Sequence, residues 1–325
     1  MRVKWNGSLS KKRKINGGGP QGATIGILEY LSQSNDSANF LNSEDRYKFV
    51  DDLTMLEIVN LLTIGISSFN FKFQVPTDIS DHNQYIDKQN LHTQEYLTKI
   101  SNWTNEKKMQ INQKKSKIMI FNFTNNYQFS TRLSLQDENL EEVSETKLLG
   151  TIVTNDLKWH KNTERIIKKA NAKMQILRVS SNFTSKWADL KQIYISYVRS
   201  QLEQSCTIWH SSLTEDNAND LERVQKCALK IILKENYKNY QHALNLLELD
   251  SLENRREFLC LKFAKKSLKN KKMKSVFIPN KKSHEMNTRN EFKFNINNAN
   301  TTRLQNSPII YMQRLLNEDN IARKK

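Results

Sequence analysis

Tyr47-Lys48-Phe49-Val50-Asp51-Asp52-Leu53-Thr54-Met55-Leu56 sets two adjacent acids between two short β-prone runs. Tyr47 to Val50 and Leu53 to Leu56 read as the arms of a hairpin that turns at Asp51-Asp52. Two neighbouring carboxylates repel each other and require a compensating positive charge unless water screens them. An isolated Asp-Asp pair is most often a solvated turn. A hairpin tip that holds divalent metal is the sharper reading. Phosphoryl transfer by paired metal ions, about 3.5–4 Å apart, needs such carboxylates. Magnesium suits them because it takes carboxylate oxygens together with substrate phosphates.

About 25 residues upstream lies Gly17-Gly-Gly-Pro-Gln-Gly-Ala-Thr-Ile-Gly26. Glycine lets backbone approach a ligand closely because no Cβ intervenes. Linkers look similar, but a linker tends to be Ser-rich, and the residues that follow here are apolar. Five of the eight glycines fall in this loop, and none follows Gly150. From Thr151 to Ile278 there is neither Gly nor Pro, so the strongest breakers of regular structure are missing.

Apolar spacing in that stretch predicts helices. Ile166, Ile167, Ala170, Met174 and Leu177 share one face; Leu190, Ile193, Tyr194, Tyr197, Val198 and Leu202 share another. Leu221, Val224, Ala228, Ile231 and Ile232 mark a third helix, with Glu222 and Lys226 spaced to pair on its outer side. Leu252 to Leu268 carries Arg255, Arg256, Lys262, Lys265 and Lys266 around an apolar stripe. Before Gly150 the pattern is β-like. Lys117 to Phe123, Leu133 to Leu135 and Lys147 to Val153 read as strands. Lys271 to Asn306 is rich in Lys and Asn and is expected to be mobile. Ile309 to Leu316 is expected to form a short terminal helix.

Of the 325 residues, 51 are Lys or Arg and 34 are Asp or Glu, a formal net charge of +17. That excess favours a polyanionic partner, through release of phosphate counterions; a basic surface that only aids solubility is the bland alternative. No apolar run reaches the 18 or so residues that a membrane-spanning helix needs. Leu56 to Ile66 is too short and is interrupted by Glu57 and Asn60. The N-terminal residues show no secretory signal. Cys206, Cys227 and Cys260 are odd in number and widely spaced, without zinc-knuckle spacing. They fit a reduced, intracellular protein, nuclear or cytoplasmic. Cys206 and His210 could share a helix face, but two lone ligands are more often structural.

Taken in order, these motifs resemble the reverse transcriptases of non-LTR (LINE-type) retrotransposons, specifically their C-terminal half. Pro20-Gln21-Gly22 with Gly26 is similar to the Pro-Gln-Gly loop of that family, and Phe49-Val-Asp-Asp52 to its aromatic-x-Asp-Asp box. Trp103, Asn112-Gln-Lys-Lys-Ser-Lys117 and Met119-Ile-Phe121 resemble the segment after that box. Glu145-Thr-Lys-Leu-Leu-Gly150 resembles the primer-grip hairpin. Leu157-Lys-Trp159, Leu202-Glu203, Trp209, Leu221 to Lys226 and Arg255-Arg256 match the pattern beyond it. The resemblance covers roughly residues 15–270, and the ordered set is far more specific than any one motif.

The resemblance implies an α+β fold. Residues 1–155 would be a partial right-hand polymerase palm with the primer-grip hairpin, 156–270 a helical thumb, and 271–325 a basic, Asn-rich tail. It implies RNA-templated DNA synthesis, with an RNA template, a DNA primer and deoxynucleoside triphosphates as partners and no membrane. Asp51 and Asp52 would hold two Mg²⁺ ions. Pro20, Gln21, Gly22 and Gly26 would shape the nucleotide and template site. Lys117 or Lys115 could meet the triphosphate, although a solvated lysine run reads the same way. Leu149 and Gly150 would position the primer end. The family also carries a metal-binding aspartate upstream of the Pro-Gln-Gly loop. Residues 1–16 contain no acid, and the first is Glu29. The chain by itself is therefore expected to show little or no synthesis. Two other readings stay open: a nucleic-acid-binding protein without catalysis, and a degenerate retroelement relic serving as an interaction module.

Overall fold

A computed structural model describes residues 4–5, 8–9, 11, 46–49, 52–55, 83–86, 92–123, 128–277, 294, 296 and 301–324. The described residues are mostly helical with a few short strands, broadly an α+β arrangement. Contacts divide the chain into two compact units, Met1–Ser144 and Glu145–Lys325. Among the described residues no helix is long and apolar enough to cross a membrane.

In the first unit, β1 (Lys4–Trp5) pairs antiparallel with β2 (Ser8–Leu9). β3 (Arg46–Phe49) pairs antiparallel with β4 (Asp52–Met55), and Phe49 stands opposite Asp52. Asp52 thus opens the return strand. β5 (Asn83–Ile86) runs parallel to a later strand, β7 below. Helix α1 (His92–Glu106) buries Leu97 and Ile100 against Leu133 and Leu135. Leu53 and Met55 pack on the same cluster. They are two apart in β4, and a strand turns alternate residues to one face.

The remaining strands of this unit are short: β6 (Lys117–Ile118), β7 (Gln128–Thr131), β8 (Ser134–Leu135), β9 (Glu138–Asn139) and β10 (Glu141–Glu142). The Gln94 amide donates to the Ser134 carbonyl at 3.0 Å and accepts from the Ser134 N–H at 2.9 Å, which ties α1 to β8. The β-prone run Lys117 to Phe123 is strand only at Lys117–Ile118. Its partner β10 is two residues long and pairs with those two alone. Phe121 and Phe123 beyond them are exposed.

The second unit opens with the hairpin β11 (Glu145–Leu148) and β12 (Thr151–Thr154). Then come α2 (His160–Phe183), α3 (Trp187–Ile193), a π segment (Tyr194–Arg199) and α4 (Ser200–Leu202). α5 (Cys206–Trp209), α6 (Glu215–Leu233), α7 (Tyr240–Leu247) and α8 (Leu252–Ser267) follow. Last are α9 (Lys271–Lys274), α10 (Thr302–Gln305) and α11 (Pro308–Lys324). Side-chain caps fix several starts. Thr214 accepts from Asn217 N–H at 3.3 Å, Asn239 from His242 at 2.9 Å and Ser251 from Asn254 at 3.2 Å.

The main core joins Trp159, Ile166, Ala170, Met174 and Leu177 to Leu190, Tyr194, Val198, Leu202, Trp209, Leu221 and Leu229. Leu190, Tyr194, Val198 and Leu202 recur every fourth residue. An α-helix of 3.6 residues per turn would rotate such a series steadily off one face. The wider π turn, closed by i to i+5 bonds, absorbs that rotation and keeps all four inside. Tyr197, expected on the same face, is exposed instead.

No glycine is available in this unit after Gly150. Positive φ falls on Leu157, Ser205, Lys234 and Glu248 at the ends of turns and helices, positions where glycine is favoured. A second cluster joins Cys260 and Ala264 of α8 to Met312, Leu315 and Leu316 of α11, with Phe277 and Phe294. The stretch Lys271 to Asn306, expected to be mobile, therefore supplies two buried aromatics. The terminal helix is also longer than expected, because it has α8 to pack on.

Buried polar groups lock α6 to its neighbours. Tyr194 Oη donates to Gln225 Oε1 at 2.5 Å, and Gln225 Nε2 donates to Tyr240 Oη at 2.7 Å and to the Asp250 carbonyl at 2.9 Å. Glu222 accepts from Tyr240 Oη and, at 3.1 Å, from Leu252 N–H. This corrects the expected Glu222–Lys226 pair: Glu222 turns inward, and the Lys226 ammonium lies 5.1 Å from the centre of the Tyr240 ring. Gln225→Leu is expected to cost about 2–4 kcal/mol, since each stranded buried group costs roughly 1–3 kcal/mol. Pairing it with Tyr194→Phe should recover part of the loss. Urea denaturation of the single and double variants measures both.

Candidate nucleic-acid interface

The β11–β12 register sets Leu148 opposite Thr151 and leaves Leu149-Gly150 as a two-residue turn. Both have positive φ, 46° and 88°, as a type I′ hairpin turn demands. Gly150 suits its place. A Cβ there would approach the Gln204 amide nitrogen to 2.7 Å. Leu149 does not suit its place: Asn is preferred at the first position, and a bulky residue at positive φ is strained. Leu149 is nevertheless 53% exposed, beside the exposed Leu148. Leu149 is one of several non-glycine residues at positive φ in this unit, and it stands on an exposed apolar tip.

The hairpin is fastened to the first turns of α2. Arg165 donates to the Gly150 carbonyl, and Asn162 Oδ1 accepts from Ile152 N–H at 3.1 Å. Lys161 pairs with Glu145, whose carboxylate raises the lysine above its usual value. At the base, Asp156 Oδ1 receives Thr154 Oγ1 at 2.6 Å and Lys158 N–H at 3.0 Å. Burial works to raise the Asp156 carboxyl, but these bonds outweigh it and hold it below the usual carboxylate range.

α2 buries Ile166, Ala170, Met174 and Leu177 on one side. Its outer side begins with Lys161, Arg165, Lys168, Lys169 and Lys173 and ends with Ala172, Ile176, Val179 and Phe183. Glu164 is the only acid in the helix. A cationic helix face continuous with an apolar hairpin tip can hold a phosphate backbone and rest the leucines against sugars or base edges.

Of the residues singled out in the sequence, Pro20, Gln21, Gly22, Gly26 and Asp51 lie outside the described residues. Asp52 begins β4, and the Lys117 ammonium is paired with Glu141 across β6 and β10. Among the described residues no group of three or more His, Cys, Asp or Glu is arranged to hold a metal ion. Arg165 and Asn162 were not singled out. Nothing in one sequence separates them from other polar residues of α2; only the docked hairpin gives them a role.

Many of the motif residues beyond the hairpin are framework, whereas Lys158, Arg223 and Lys226 are exposed. Trp159, Leu202, Trp209, Leu221 and Gln225 are buried. Arg255 pairs with Glu203 at 3.1 Å, and Lys265 with Asp319 at 2.7 Å. Arg256 is 0% exposed, 5.9 Å from the centre of the Trp209 ring, and its Nε lies 3.3 Å from His210 Nδ1. Three of the five cations counted on α8 are thus spent inside the fold. Burial pushes the Cys206 thiol up to about 11 and Cys260 up to about 12, so both stay protonated. Burial, with the Arg256 charge, lowers His210 to about 4. No protein-family profile, curated protein or solved structure matches the chain.

Two outcomes are expected. Leu149→Asn should stabilise the second unit by about 0.5–1 kcal/mol by relieving the positive-φ strain, whereas Gly150→Ala should cost about 1 kcal/mol; thermal melts of both variants read the difference. His210 is neutral in the fold and charges on unfolding near pH 6.5. Its contribution is complete above that pH and is lost as pH falls toward about 4. The unfolding free energy should slope by about one proton across that window, and His210→Gln should flatten it.

Proposed function

We propose that the chain binds an RNA–DNA hybrid as part of a reverse transcriptase of the LINE type, with β11–β12 and α2 forming the primer-grip and thumb surface. On this reading the first unit belongs to the palm, and Asp51 and Asp52 are the carboxylates for magnesium, which would stabilise charge on the phosphates. The reading commits to holding the hybrid. Asp51 and Asp52 are the residues on which any nucleotide addition would depend.

One observation carries the reading. A strained, exposed Leu149-Gly150 tip is fastened by Arg165 and Asn162 to a helix whose outer first half is cationic. Supporting it are the ordered motifs and the net charge of +17. Lys168, Lys169 and Lys173 are exposed on α2 and would face phosphates. Lys161 and Arg165 would hold the hairpin in place, and Leu149 would rest against the primer strand.

The test is fluorescence anisotropy with a labelled hybrid over a salt series. Wild type should bind with a steep salt dependence. Changing Lys168, Lys169 and Lys173 to Gln should reduce the log–log salt slope by about 2–3. Leu149→Asn should weaken binding without changing that slope. Asp51→Ala with Asp52→Ala should leave affinity intact in metal-free buffer and remove any magnesium-dependent primer extension. No affinity for hybrid at low salt would sink the reading.

A further inference from the structure

The outer edge of α2 changes character halfway along. Ala172, Ile176, Val179 and Phe183 recur at i, i+4, i+7 and i+11, and all four are exposed; Phe183 is 86% exposed. Single exposed apolar residues are ordinary. Four on one ridge, over roughly 16 Å of helix, form a stripe of the kind that packs against another helix. The inner side of the same segment is already filled by Met174 and Leu177, so the stripe is a second apolar face.

We propose that this ridge docks an acidic amphipathic helix of a partner protein. Charge selects the occupant. Lys169 and Lys173 border the ridge on one flank, Arg178 lies more than a quarter turn beyond it on the other, Lys186 follows its end, and all are exposed. No acid lies on α2 beyond Glu164. A partner helix with apolar residues at i, i+3, i+4 and i+7 and Asp or Glu along both flanks would bury the ridge and meet each cation. A second copy of this chain would bring cation against cation, which is unfavourable. A lipid surface prefers a broad apolar face, and this one is a single ridge wide. The inference stands on the ridge from Ala172 to Phe183, which the hybrid reading does not use; Lys169 and Lys173 serve both readings.

The experiment uses the full chain and a labelled synthetic peptide of about five helical turns, with Leu at the stated spacing and Glu elsewhere. Saturable binding is expected. A scrambled peptide of the same composition, or one with Lys for Glu, should bind at least about tenfold more weakly. Ile176→Ser with Phe183→Ser should lose about tenfold in affinity with an unchanged circular-dichroism melt, since neither side chain is in the core. Lys173→Gln with Arg178→Gln should weaken binding and flatten its salt dependence. The proposal is overturned if the full chain does not bind the peptide, or binds the scrambled form equally well. It is also overturned if the Ser variants bind the peptide normally. Hybrid or anionic vesicles binding through Ile176 and Phe183 while the peptide does not would overturn it too, and would assign the ridge to that ligand.

Discussion

The side of α2 that carries Ile166, Ala170, Met174 and Leu177 is closed against the main core of the second unit, and that burial fixes which residues the helix turns outward. The hairpin is fastened to its first turns, the cations follow, and the apolar ridge comes last. A helix rotated by one residue would bury Ile167, Asn171, Gln175 and Arg178 in place of the core positions and carry Arg165 and Asn162 away from the hairpin. Burial of four apolar side chains, each contributing about 1.5–3 kcal/mol for the larger ones, therefore sets the geometry of a surface that makes none of those contacts itself.

The rest of the unit meets its constraints without glycine or proline. Positive φ falls on Leu157, Ser205, Lys234 and Glu248, each a small local cost. A π turn keeps Leu190, Tyr194, Val198 and Leu202 on one face. Gln225 joins three elements through one amide, because its donors and acceptor reach Tyr194, Tyr240 and the Asp250 carbonyl together. Such a network is tolerated in a core only when its members are satisfied, and here the apolar packing around it holds each partner in reach.

Net charge overstates the free cationic surface. Arg256 is in the core, Arg255 and Arg199 share Glu203, Lys265 holds Asp319, Lys117 holds Glu141 and Lys161 holds Glu145. What remains available is uneven, and the exposed run Lys168, Lys169, Lys173 on α2 is one coherent piece among the described residues. Exposed pairs of this kind contribute little to stability, so their value lies in where they point the chain and its charge.

Apolar spacing made the longer helices of the second unit, around Ile166, Leu221 and Leu252, legible in the sequence, because a buried face of period 3.6 writes itself there; Tyr240–Leu247 was not expected. The hairpin is expected only from the resemblance: the residues read as one β-prone run from Lys147 to Val153, which the turn at Leu149-Gly150 divides, while the return strand expected from Leu53 to Leu56 lies at Asp52–Met55. The inward turn of Glu222, the burial of Arg256, the use of Phe277 and Phe294 as core and the π turn were decided only in three dimensions. Each depends on a partner far away in the chain: Tyr240 and Leu252 for Glu222, Trp209 and His210 for Arg256, α11 for the two phenylalanines. A polar side chain carries no mark of which distant group it will meet. Nor does an apolar one show whether a neighbour will cover it, and so the bare ridge from Ala172 to Phe183 emerged only once the other side of α2 had been filled.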